Sequence, residues 1–410
     1  MLAVLRSPAE IVFGPGQRRS LGRVVASLGG RALVLADPFV AASDHGAEMQ
    51  DCLRAAGVQV ELYSEVVPEL PLASVDEAVS RADVARADVV VAIGGGSCID
   101  LAKVVAAVLA HGVSASELYG EFVVPGPTLP VVAVPTTAGT GSEVTPVAVL
   151  TDPSLTSKVG ISSPHLIPTT ALCDPELTLS CPPGLTAAVG ADALTHAVEA
   201  LTAVRRSGVP GISLDRVFIG SGALTDLLAR EAVGHLVAGL PQAVAHGDDL
   251  EARSQVMYGS LLAGLAFGTA GTSAAHALQY PVGALTQTPH GVGVGLLLPY
   301  VMQLNLPARP AEMALVAAAL AGPGERPSAD RAPAMVQTFL RDIGLPTRLP
   351  DIGFPENRIA WAAARGVEAK RLSQNNPVAL TAETAEHVLR AAWAGELSEA
   401  APAAMVGEVS

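Results

Sequence analysis

The chain has 410 residues, half of them apolar and only 3% aromatic, with a formal charge of −14. That much apolar material buries a large core, and the length suits two domains or one large one. The negative charge, with no Lys/Arg-rich run to interrupt it, excludes nucleic acid and anionic membrane surfaces as partners and leaves small molecules or protein subunits.

The opening "MLAVLRSPAEIVFGPGQ" is too short in apolar length for a signal segment, and no later stretch reaches the roughly 18–20 apolar residues of a membrane span. A soluble, unprocessed chain is expected. "RALVLAD" (31–37) reads as the first strand and ends on Asp37. A carboxylate there accepts hydrogen bonds from a ribose 2′-hydroxyl and repels a 2′-phosphate, favouring NAD over NADP; the alternative is turn chemistry at Asp37-Pro38. "VQVELYS" (58–64) is the second strand, the Ala-rich periodic stretch 72–86 a helix, and "ADVVVAIGGG" (87–96) the third strand. This strand runs through three glycines into Ser97 and an amphipathic helix carrying Asp100 and Lys103. Glycines let backbone N–H groups approach a phosphate, and the helix N-terminus adds partial positive charge. The same turn also occurs for packing alone. "LPVVAVPTT" (129–137) is a fourth strand feeding "PTTAGTGSEVTP" (135–146), where Thr136, Thr137, Thr140 and Ser142 offer hydroxyls. Strand and helix in alternation imply a parallel sheet with helices on both faces.

From about Pro183 the chain turns Ala/Leu-rich with helical spacing. An α/β dinucleotide-binding domain over 1–180 and an all-helical domain over 181–410 are expected. Within "GADALTHAVEA" (190–200), Asp192 and His196 stand i, i+4 on one helix face, the geometry of two metal ligands. Farther on, His276 lies in helical surroundings and His290 follows Pro289 at a turn. Three imidazoles and a carboxylate suit a divalent first-row ion, iron or zinc, although each His taken alone reads more readily as a hydrogen-bonded core residue. The tail from about Ala394 is small and polar, suggesting loose order. Cys52, Cys98, Cys173 and Cys181 form no C-x-x-C pair, which fits free thiols in a reducing cytoplasm.

Taken in order, "GGGSCIDLAK", "PTTAGTGSEVTPVAVLTD", "GADALTHAVEA", "TPHGVGVGLLLPYVMQLN" and "NNPVALTAETAEHVLRAAW" resemble the iron-containing (group III) alcohol dehydrogenases over nearly the whole chain. The resemblance implies a Rossmann-like domain followed by a helical metal-binding domain. It also implies hydride transfer between NAD(H) and a small alcohol or aldehyde whose oxygen binds Fe2+, with Zn2+ as the alternative. The ligands it implies are Asp192, His196, His276 and His290. Cofactor contacts would be Asp37, Gly95, Gly96, Ser97, Thr136, Thr137, Thr140, Val149 and Lys158, and Val147 and Phe267 would line the substrate pocket. Two departures stand out. Tyr280 occupies the place of a second His that many relatives carry four residues after the third ligand, leaving it either a proton relay or a shaping residue. "VVPELPL" puts Glu69 where relatives often carry the Asn of Pro-Asn-Pro. A homodimer or larger homo-oligomer is expected. The competing readings are a sugar-phosphate cyclase of the dehydroquinate synthase type, also using NAD and a metal, and a non-catalytic nucleotide- and metal-binding assembly protein.

Overall fold

A computed structural model describes residues 3–155, 158–322 and 324–397. Beyond Leu397 the tail expected to be loosely ordered lies outside the described residues. The chain divides into two compact units. One comprises Arg6–Ser180 with Leu214–Val217, and the other is built from Cys181–Ser213 and the chain from Phe218 onward.

Among the described residues the first unit contains nine strands: β1 Glu10–Phe13, β2 Arg31–Ala36, β3 Gln59–Tyr63, β4 Val89–Gly94, β5 Gly120–Glu121, β6 Val131–Pro135, β7 Val147–Leu150, β8 Val159–Ser162 and β9 Thr170–Cys173. Six form one all-parallel sheet in the order β1-β9-β6-β4-β2-β3. Its helices are α1 Leu21–Ala26, α2 Asp44–Ala55, α3 Leu72–Ala85 and α4 Gly96–His111. The near-continuous apolar runs of β2, β4 and β6 are explained by burial on both faces. Leu33, Leu35, Val90, Ala92, Val131 and Ala133 point into one core with residues of α3 and α4. Ala32, Val34, Val89, Val91, Val132 and Val134 point into the other with residues of α1 and α2. This is the two-residue alternation of a strand. The chain builds β3 on one side of β2 and then crosses to β4 on the other, so the topological switch point lies between β2 and β4. In open α/β sheets ligands bind outside the carboxyl ends of strands at that point. Strands β5, β8 and β7 make a separate three-stranded sheet.

The second unit is helical: α5 Pro183–Thr202, α6 Ala223–Ala245, α7 Leu250–Ala270, α8 Ala274–Thr286, α9 His290–Asn305, α10 Pro310–Ala321, α11 Ala332–Asp342, α12 Ile359–Glu368 and α13 Ala382–Ala394, with shorter turns between them. Helices α5, α6 and α7 pack on one another, and α9 packs on α5. A second core joins α8 and α9 to α12 and α13 through Leu278, Leu297, Tyr300, Ile359, Val388 and Leu389. Among the described residues no single helix is long and apolar enough to cross a membrane; the pair α7–α8, apolar enough together, is bent by 102°.

Candidate metal centre and nucleotide cradle

Helix α5 supplies Asp192, His196 and Glu199 at i, i+4 and i+7, one face of the helix over two turns. All three are buried. Helix α8 supplies His276 in its first turn. His290 is the first residue of α9, with Pro289 at the N-cap. It stands in a helix and not in the turn expected from the sequence, because Pro289 sets the extended entry (ψ 138°) from which the helix starts.

The three imidazoles converge on one carboxylate oxygen of Asp192. Asp192 Oδ1 lies 3.6 Å from His196 Nε2, 3.6 Å from His276 Nε2 and 3.7 Å from His290 Nε2. The ligand atoms of Asp192, His276 and His290 all lie within 4.8 Å of one another, and His196 joins the set through Asp192. Ligands around a tetrahedral ion with bonds near 2.1 Å stand roughly 3.4 Å apart, so the spacing suits one cation. Asp192 Oδ1 and His276 Nε2 are buried without a hydrogen-bond partner, which is costly unless something polar fills the gap. Electrostatics point the same way. Burial opposes ionisation of Asp192, but the surrounding imidazoles outweigh it and hold the carboxyl well below its usual range. Burial lowers the His276 pKa, yet Glu199 and Asp192 raise it to about 9 overall. The pocket therefore favours positive charge, and its donor set fits a divalent ion.

The ring faces are also fixed. Phe267, expected to line a pocket, stacks on His196 with centroids 4.1 Å apart and planes at 16°. His196 in turn stacks on His276 at 4.8 Å. Tyr280, one turn beyond His276 on α8, is half-buried and packs against the C-terminal apolar core. Two residues went unrecognised in the sequence reading. Glu199 accepts from His276 Nδ1 at 2.6 Å, and Gln279 Oε1 lies 2.9 Å from His290 Nδ1. The i+7 spacing of Glu199 from Asp192 is the signal that could have found the first.

The second candidate site gathers at the carboxyl ends of β2, β4 and β6. Gly94 leads into Gly95, the N-cap of α4, which carries no side-chain cap. A Cβ on Gly94 would meet Cys98 Cβ at 2.7 Å and Asp37 Cβ at 3.3 Å, and one on Gly96 would meet Thr140 Cγ2 at 2.7 Å. The glycines thus permit strand end, helix start and the 135–146 loop to close on one another. A Cβ on Gly95 would lie 3.4 Å from Thr137 Oγ1, and Thr136 donates its backbone N–H to the Gly94 carbonyl at 3.0 Å. Asp37 makes no side-chain cap to the short helix that follows it, which disfavours the turn-chemistry alternative. Lys158 pairs with Glu69, whose backbone N–H donates to Ser97 Oγ at 3.3 Å. Glu69 and Leu70 both adopt positive φ (68° and 43°), a strained arrangement held by hydrogen bonds to Thr151. Val149 gives its N–H to Asp100 and Val147 its carbonyl to Lys103, each at 2.9 Å. These residues fit a dinucleotide diphosphate seated on the α4 N-terminus.

Comparison with known proteins identifies the family to which both halves of the chain are similar. Residues 8–175 match the family model described as iron-containing alcohol dehydrogenase, and residues 215–393 match the C-terminal model of the same family. The chain is 36% identical over 408 residues to long-chain-alcohol dehydrogenase 1 of Geobacillus thermodenitrificans, covering 96% of this chain and 99% of that one. A crystal structure of 1,3-propanediol oxidoreductase superposes with a TM-score of 0.89 at 31% identity, covering 96% of this chain and all of the other. Sulfoacetaldehyde reductase from Bifidobacterium kashiwanohense, solved in complex with NAD+, gives 0.82 at 28% identity, covering 96% and 99%.

Proposed function

This chain belongs to the iron-containing alcohol dehydrogenase family, and on that premise we propose that it interconverts a small primary alcohol and its aldehyde at the Asp192–His196–His276–His290 centre. The observation that carries this reading is the convergence of three imidazole Nε2 atoms on one buried, unpartnered carboxylate oxygen. The enzyme is NAD-dependent and uses a metal of the family's type. When bound, the ion supplies Lewis acidity towards an alcohol or carbonyl oxygen and the nicotinamide accepts or returns hydride. In the forward direction the alcohol loses a hydride to NAD+ and its hydroxyl proton, leaving aldehyde, NADH and H+.

The chain's own residues bind and orient. Asp192 provides the anionic ligand and the histidines neutral ones, so a bound dication would keep one positive charge beyond what its four ligands supply. Phe267 holds the His196 ring flat, and His276 and His290 are aimed by hydrogen bonds from Nδ1. In the other unit, Gly95, Gly96, Ser97, Thr136, Thr137 and Thr140 form the proposed diphosphate cradle. Asp37 takes the ribose hydroxyls, Lys158 adds a cation, and Val147 and Val149 stand on the adjoining strand. Tyr280 is assigned to shaping, since its ring packs on an apolar core. The relatives named above act on long-chain alcohols, 1,3-propanediol and sulfoacetaldehyde, which supports an alcohol or aldehyde substrate, neutral or small and anionic. Four free cysteines support a reducing cytoplasmic setting. A homo-oligomer is part of the same proposal.

The test is a panel of alcohols with NAD+ and of aldehydes with NADH, using iron- and zinc-loaded protein prepared without oxygen. Substrate-dependent change in NADH absorbance is expected. Product release from a sugar phosphate with no net change in cofactor redox state would assign the cyclase reaction instead.

A further inference from the structure

Glu199 is 1% exposed and takes three N–H groups from the opening of α8. Ser273 N donates to Oε2 at 2.9 Å, Ala275 N to Oε1 at 2.7 Å and His276 Nδ1 to Oε2 at 2.6 Å. Ser273 is the N-cap residue, yet its own side chain makes no cap, and its Oγ is buried without a partner. A carboxylate reaching over from α5 therefore does the capping, satisfying N–H groups that a helix start leaves open. The same oxygen grips the ring that points Nε2 at Asp192 Oδ1.

Resting on the metal reading above, we propose that Glu199 is a positioning residue of the metal centre and its second negative charge. It acts through His276 and is matched with Asp192 to the two positive charges of the ion. A carboxylate can only accept, so whatever faces it must donate. With an ion on Nε2, the one remaining ring proton of His276 sits on Nδ1 and is held there by Glu199. The hydrogen bond fixes the ring's rotation and makes Nε2 a stronger donor. His290 differs, because its Nδ1 faces the neutral amide of Gln279. The two carboxylates and three neutral imidazoles carry a charge of minus two, which a divalent ion cancels inside a buried pocket. Asn375 offers a comparison of pure scaffolding: its amide donates to the carbonyls of Ala270 and Thr272, holding the α7–α8 connection, and it bears no charge.

The experiment measures cobalt(II) and zinc affinity by calorimetric titration of purified full-length protein, wild type against Glu199→Gln and Asn375→Ala, with the cobalt visible spectrum as a second readout. Glu199→Gln is expected to lose about 10- to 100-fold in affinity and to shift the cobalt bands. Asn375→Ala is expected to lower thermal stability while keeping affinity within a few-fold and the spectrum unchanged. Glu199→Gln binding as tightly as wild type, or losing no more than Asn375→Ala, would overturn the proposal. Should the glutamine variant not fold, zinc-loaded wild-type protein carries the test. The His276 Nδ1 proton is then expected as a downfield, slowly exchanging ring signal in nitrogen-edited spectra, and its absence there would also overturn the assignment. Wild-type protein taking up no cation would instead refute the metal centre itself, a failure distinguishable from the variant's.

Discussion

Gly291 shows how one residue places a ligand. It follows His290 at the start of α9, and a Cβ there would stand 2.1 Å from the Ala188 carbonyl oxygen and 3.2 Å from Asp192 Cβ. Only glycine lets this helix end touch α5 closely enough to bring His290 to Asp192. Gly291→Ala is expected to push α9 outward, costing about 1–3 kcal/mol of stability as overpacking does and weakening metal uptake in calorimetric titration; unchanged uptake would contradict the role. Asp37 is the other informative single residue. A carboxylate about 4 Å from a 2′-phosphate is opposed by roughly 1–4 kcal/mol between aqueous and surface dielectric. Asp37→Gly should therefore raise the ratio of kcat/KM for NADPH over NADH by about fivefold or more. An unaltered ratio would remove Asp37 from the cofactor site.

At the scale of elements, α4 and the 135–146 loop are tied by buried charge. Lys103 is fully buried and donates from Nζ to Ser142 Oγ at 2.9 Å, to the Thr145 carbonyl at 3.0 Å and to the Val147 carbonyl. Asp100 on the same helix accepts from Ser142 Oγ and Val149 N. Burial lowers Lys103 to about 8, with Asp100 and Glu143 opposing the shift. Glu143, buried in the loop itself, is raised by burial to about 7. A carboxyl whose folded pKa exceeds its unfolded value of about 4.5 stabilises the fold at low pH and loses that contribution as pH climbs towards 7. Wild-type stability should fall relative to Glu143→Gln between pH 4.5 and 7, by on the order of 3 kcal/mol. Denaturant titrations of both proteins across that range check it, and parallel pH profiles would contradict it.

Elements differed in how far the sequence revealed them. Strands β4 and β6 were readable as Val-rich runs, and β2 and β3 as short apolar or alternating runs set between glycine- or proline-bearing turns. β1 and β9, four residues each, are too short to show a period. They become strands only because the parallel pairing of β9 with β6 and β1 satisfies their backbone. The pairing of β7 with β8 was likewise hidden, since register across a loop leaves no local trace. Asp192 and His196 were readable as a pair because helical spacing is local. His276 and His290 were legible as donors of the right type, but only family resemblance joined them to that pair as one ligand set, as nothing in a single chain measures the distance between α5, α8 and α9. Glu199 stood inside the quoted ligand stretch and was still passed over, because its partners are on another helix.

For the whole molecule, the parallel sheet and the helical unit each carry one of the two proposed sites. The sheet's switch point offers the proposed dinucleotide cradle, and the helical unit offers the buried carboxylates Asp192 and Glu199. In the second, metal and activity must be lost together if one ion is held by these four side chains. The most direct measurement is metal content and alcohol-dependent NADH formation in wild type and His276→Ala, with circular dichroism to follow folding. One divalent ion per wild-type chain is predicted, with the variant keeping its helical signal but losing both ion and turnover. Undiminished turnover by metal-free His276→Ala protein would contradict the account.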